Sequence, residues 1–257
     1  MKNVAGSGAK WVAVSGDRFP GWIASFAVRH GVPASGGPAG APENSLIVTC
    51  DTHYVTFTAP DGAVAECHPP FPESLGWPPR GDRPGGGACP PVGAAPAAMA
   101  AAMAAAVAAH AAAPRAVGVL LVRLGGYAAG VFTGSPPALA DAKTGSRPVH
   151  GRSAAGGWSQ HRFARRREKQ ASEALDAAAD AAVLVFGRWA ASSGARLDAV
   201  VLGGDKRAVA GLRDDPRLAP YLAIATERFL TVPDPKRAVL EAAPKGFLAV
   251  RIRLTEP

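Results

Sequence analysis

Residues 156–204 read GGWSQHRFARRREKQASEALDAAADAAVLVFGRWAASSGARLDAVVLGG, and the fold turns on how this stretch divides. From about residue 160 to 191, Ala171, Leu175, Ala178, Ala182, Val185 and Trp189 recur every three or four positions. That spacing marks the buried stripe of one long amphipathic helix, and Gly194 ends it. Residues 197–202, LDAVVL, then read as a strand, and Gly203-Gly204-Asp205 as the tight turn that follows, with Asp205 capping the next helix. A long helix leading into a buried strand places the chain in the α/β class.

Working outward, residues 117–122, VGVLLV, form a buried strand, and Gly125-Gly126 turn the chain into a second strand over 127–133. A third strand is expected over 147–152. Downstream come a short helix over 205–213, a strand over 229–232, a helix over 235–243 and a closing strand over 247–254. The expectation is a mixed sheet covered by helices, forming one α/β domain over 96–257. Ahead of it, residues 11–14, 46–49, 53–57 and 63–65 alternate in the manner of strands, and Asp61-Gly62 supplies a turn. Pro/Gly-rich loops cover 31–42 and 76–96. Residues 1–95 are therefore expected to form a small β-rich domain that ends in a linker. The run 97–113 is almost all alanine, which suits a helix in water better than a membrane span.

Composition narrows the function classes. Hydrophobic residues make up 48% of the chain but aromatics only 7%, so the core is built chiefly from Ala, Val and Leu. Cys50, Cys67 and Cys89 are too few and too irregular for a disulfide framework, which fits a reducing cytosol. The first residues lack the apolar core of a signal peptide, so the expected location is cytoplasmic, with no membrane attachment. The formal net charge is +8, and its placement is informative: residues 147–169 carry seven Lys or Arg against Glu168 alone. Such a cluster has the character of a phosphate-binding patch.

The chemistry centres on the start of the long helix. A helix N-terminus carries partial positive charge and favours acidic residues. Here Arg162, Arg165, Arg166, Arg167 and Lys169 crowd the first three turns instead. A solvated charged face is the ordinary reading of a charge run, yet it leaves this conflict with the helix dipole in place. A bound polyanion removes it, because exposed N–H groups and guanidinium groups can hold phosphate oxygens together. Arg162, Arg166 and Lys169 share one face by spacing. In front of the helix, Gly156 and Gly157 allow close backbone approach, Ser159 can cap the helix, and Gln160 offers both a donor and an acceptor to a water molecule.

Gly-Gly-x-Ser-Gln followed by an Arg-rich helix resembles the Vms-like release factor family, specifically its actinobacterial branch. These are relatives of the GGQ-bearing central domain of archaeal and eukaryotic class I release factors. The resemblance rests on GGWSQHRFARRREKQ and on the order of elements from residue 117 to 254. It implies an α/β domain with an RNase H-like mixed sheet, and hydrolysis of peptidyl-tRNA on the ribosome in rescue of stalled complexes. By resemblance, Gln160 orients the water, while Gly156, Gly157 and Ser159 shape the catalytic loop. Arg152, Trp158, His161, Arg162, Arg165, Arg166, Arg167 and Lys169 would contact RNA. Trp158 and Ser159 separate the glycines from the glutamine, so the compact GGQ tripeptide is absent. The implied partners are the large ribosomal subunit, its ribosomal RNA and peptidyl-tRNA, met by a monomer without metal or organic cofactor. Two alternatives stand beside this reading: an endonuclease acting at the tRNA acceptor end, and a non-catalytic ribosome- or RNA-binding module.

Other residues have plainer readings. Cys50, His53, Cys67 and His68 do not follow a usual zinc spacing. No GxSxG elbow links a serine to a histidine; His150 and His161 flank the loop, where they could assist RNA binding or proton movement, and the plainer reading is an RNA-facing or solvent-exposed bystander. Trp11, Trp22 and Trp77, with Arg18, Arg29 and Arg80, could stack on RNA, but core packing is the default for tryptophans in a small domain.

Overall fold

The computed structural model describes residues 9–31, 45–74, 96–123, 125–146 and 159–257. The chain divides into two compact units: residues 1–113 with 248–257, and residues 114–247. The boundary thus differs from the one expected at residue 95, and the first unit receives chain from both sides of the second.

The first unit opens with β1 (Lys10–Val14) and α1 (Phe19–His30). A meander follows, β2 (Ile47–Cys50), β3 (Val55–Thr58) and β4 (Val64–His68), and then α2 (Pro96–Ala112). The second unit holds β5 (Val117–Arg123), β6 (Gly126–Thr133), β7 (Ala138–Ser146), α3 (Ser159–Ser193) and β8 (Ala199–Gly204). It continues through α4 (Lys206–Ala210), α5 (Ala219–Leu222), β9 (Ala225–Leu230), α6 (Arg237–Glu241) and α7 (Ala243–Phe247). The chain then returns to the first unit as β10 (Val250–Thr255).

In the first unit the strand order is β1-β10-β4-β3-β2, antiparallel throughout. One face of this sheet, including Val55, Phe57, Ala65, Cys67, Val250 and Ile252, packs against both helices. Helix α1 contributes Phe19, Ile23 and Phe26, and α2 contributes Met103, Ala104 and Val107. The expectation of a small β-rich domain is corrected accordingly: this unit is a sheet with helices on one face. Pro20-Gly21 resembles a chain breaker, but proline is compatible with the first turn of a helix, and the i, i+4, i+7 spacing of Phe19, Ile23 and Phe26 then buries one side. Gly16 lies so close to α2 that an added Cβ would stand 2.8 Å from that of Ala111. The alanine-rich helix is thus part of the first core, not the start of the second.

The second unit has the order β7-β6-β5-β8-β9, with β5, β6 and β7 antiparallel and β8 and β9 running parallel to β5. The chain is therefore α/β with one antiparallel and one mixed sheet. The third strand lies at Ala138–Ser146, ahead of the predicted 147–152, whose residues fall outside those described. Its sequence, ALADAKTGS, offers little large apolar alternation, as expected of an edge strand that buries no full face. The closing strand begins at Val250, later than the predicted 247 because Phe247 ends α7, and it pairs with β1 and β4 of the other sheet. Alternating Val250, Ile252 and Leu254 fill the first core while Arg251 and Arg253 face outward. None of the described helices is long and apolar enough to cross a membrane.

Candidate functional site

The segment that carries the site joins β7 to α3. Of the expected catalytic and RNA-contacting residues, Arg152, Gly156, Gly157 and Trp158 lie outside the described residues, as does His150. Ser159 and Gln160 open α3, and His161, Arg162, Arg165, Arg166, Arg167 and Lys169 occupy its following turns. Lys169 is exposed.

Helix α3 is 35 residues long, about 50 Å at 1.5 Å per residue. Among the described residues, the α3 side chains that pack into the second core fall within 175–190. They include Ala178, Ala182, Val185 and Trp189 of the predicted stripe, joined by Ala179, Ala181 and Phe186. The helix therefore has two parts: a rear half fastened to the sheet and a leading half that bears the cationic cluster.

Two ion-pair groups hold the rear half of α3. Arg188 Nε donates to Asp141 Oδ2 of β7 at 2.7 Å, and its Nη2 donates to Asp141 Oδ1. These bonds from the Arg188 guanidinium hold the Asp141 carboxyl below its ordinary pKa. Asp180 accepts from Arg217 Nη1 at 2.6 Å, while Arg217 Nη2 donates to Asp215 at 2.7 Å. The same guanidinium lowers the pKa of Asp215. Sequence reasoning missed both groups. Asp141 sits alone on a polar edge strand, and 47 residues separate it from Arg188, so only the folded chain shows the pair.

Close contacts also fix the frame of the site. The side chain of Tyr127 in β6 lies over Gly145 near the end of β7, where a Cβ would collide with the ring. At the end of β8, Gly204 has φ +104 and a Cβ there would overlap the Val122 carbonyl, so glycine is required. Asp205 then caps α4 by accepting from the N–H groups of Arg207 and Ala208, as the sequence predicts for an ordinary βα turn.

The other candidates separate by strand geometry. Cys67 is buried in the first core, and burial pushes its thiol pKa up. His68, its neighbour in β4, faces the opposite side of the sheet, where Nε2 lies 2.7 Å from Glu66 Oε1. Two such side chains cannot converge on one metal ion. Among the described residues, no group of three or more His, Cys, Asp or Glu is placed to hold one. Trp22 packs beside Phe26 with ring centroids 5.6 Å apart. Trp11 departs from the core-packing expectation and is 51% exposed. Trp77 and Arg80 lie outside the described residues.

A family model described as acVLRF1, Actinobacteria/chloroflexi VLRF1 release factor, matches residues 115–253, more than half of the chain. The match takes in the second unit from β5 onward and most of β10. No curated protein matches the chain.

Proposed function

The chain belongs to the Actinobacteria/chloroflexi VLRF1 release factor family, and from that membership we propose that it releases nascent peptide by hydrolysing the ester of peptidyl-tRNA on the large ribosomal subunit. Membership gives a release-factor-like role in translation; the chemistry and residue roles that follow are inferred. The observation that carries them is the start of α3 at Ser159. The helix begins directly after the segment containing Gly156, Gly157 and Trp158, with Gln160 in its first turn and five cationic residues in the next turns. Gln160 would orient the attacking water, and Gly156, Gly157 and Ser159 would shape the backbone around the tRNA end. Arg152, Trp158, His161, Arg162, Arg165, Arg166, Arg167 and Lys169 would hold RNA.

The mixed sheet supports an RNase H-like central domain: three leading antiparallel strands, then two strands parallel to the first. The rescue of stalled complexes by a cytoplasmic monomer belongs to the same reading. The test is release of labelled peptide from purified large subunits carrying peptidyl-tRNA, comparing wild type with Gln160→Ala. Release with intact deacylated tRNA, lost in the variant, supports hydrolysis. A shortened tRNA would favour the acceptor-end nuclease, and tight binding without release the non-catalytic module.

A further inference from the structure

Among the described residues, the helices of the first unit pack on one face of its sheet. Its other face carries an aromatic and cationic group that no part of the proposed reaction uses. Trp11 of β1 lies opposite Arg253 of β10 in the ladder, and Arg251 lies opposite His68 of β4. The Arg251 guanidinium sits 5.0 Å from the Trp11 ring centroid. His68 places its ring 5.4 Å from Trp11 and 5.3 Å from Tyr54. Three rings and two guanidinium groups therefore share one side of the sheet, and Trp11 remains 51% exposed. The carboxylate among them, Glu66, is engaged by His68 at 2.7 Å and by Arg253 at 3.9 Å.

We propose that this open sheet face binds single-stranded RNA, with bases stacking on Trp11 and its neighbouring rings while Arg251 and Arg253 meet the phosphates. Chemistry selects the occupant. A tryptophan held beside arginines matches the alternation of flat base and negative phosphate along an RNA strand. A protein partner would call for a contiguous apolar patch. The exposed large apolar side chains of the described strands, Trp11 and Ile47, instead stand on the opposite edge strands β1 and β2. Duplex RNA hides its base faces, so a stacking surface requires an unpaired strand. The choice of RNA rests on the ribosomal reading above, and the test below is independent of peptide release.

The full chain is used with Arg162, Arg165, Arg166, Arg167 and Lys169 each replaced by Gln, so that the basic helix does not mask the second surface. Fluorescence anisotropy with a labelled uridine 12-mer then compares this background with added Trp11→Ala, Trp11→Phe, or Arg251→Gln with Arg253→Gln. Trp11→Ala is expected to weaken binding roughly tenfold, in line with loss of one stacked base, and Trp11→Phe to retain most of it. The double arginine variant is expected to weaken binding and flatten its salt dependence. A 5-iodouridine strand should photo-crosslink to the tryptic peptide 11–18, or to Tyr54 or His68. Circular dichroism melts confirm that the variants fold. Unchanged affinity in Trp11→Ala, with crosslinks confined to other segments, would overturn the proposal. So would unchanged RNA affinity with loss of self-association by sedimentation, which would make a second copy the occupant.

Discussion

At the scale of single residues, the second unit relies on a few positions whose chemistry is local. Asp205→Ala removes the acceptor for two backbone N–H groups at the start of α4 and is expected to cost about 1 kcal/mol, read from urea unfolding. Asp141 makes a pH prediction. Its folded pKa is lowered by the Arg188 hydrogen bonds, so the pair's contribution is present above the ordinary carboxylate pKa of about 4 and disappears as pH falls through the lower folded value. The gap in urea midpoint between wild type and Asp141→Asn should be open at pH 7 and close toward pH 3; a gap that stays constant would show that charge is not its source. The Asp205 cap was legible because an Asp after a Gly pair is a signal within four residues. The exposure of Trp11 was legible in principle and misread. Val12 and Val14 claim the inner face of β1, and alternation then puts Trp11 on the other side. The usual preference of tryptophan for cores outweighed that pattern.

At the scale of elements, α3 is decisive, and the period of its apolar residues made its packed half readable. Phe186 is buried against Tyr221 at 5.0 Å and lies close to Gly118. Phe186→Ala should destabilise the second unit by about 3–5 kcal/mol, measured by denaturant unfolding. The leading half predicts a different readout. Replacing Arg162, Arg166 and Lys169 with Gln should leave the unfolding midpoint nearly unchanged. It should reduce the slope of ribosome affinity against salt concentration, on logarithmic axes, by roughly two; an unaltered slope would mean that these residues do not meet phosphate. The start of α3 was legible, because the pattern expects the helix from about residue 160 and it begins at Ser159. Strand β7 was not, because ALADAKTGS carries neither strong alternation nor a large apolar residue besides Leu139. The helix α1 was hidden behind Pro20-Gly21.

At the scale of the whole molecule, the order of elements was readable but the partner of the last strand was not. Val250, Ile252 and Leu254 declare a strand with one buried face, yet nothing local says which of two sheets it joins; only long-range packing decides that. The consequence is testable by removing residues 248–257. Sheet order then predicts loss of hydrogen-exchange protection in β1, β4 and α1, with protection in β5, β8 and the rear of α3 retained. Loss confined to the second unit would contradict the division of the chain. The same return strand also sets a timetable for synthesis. Strands β1 and β4 are made early, but the strand that joins them is translated some 180 residues after β4. The second unit can complete its core while the first still waits with an unfilled gap in its sheet. Domains usually fold in the order they emerge, but here the middle of the message is expected to mature before its beginning, so the nascent chain leaves the exit tunnel with its first-made part finished last.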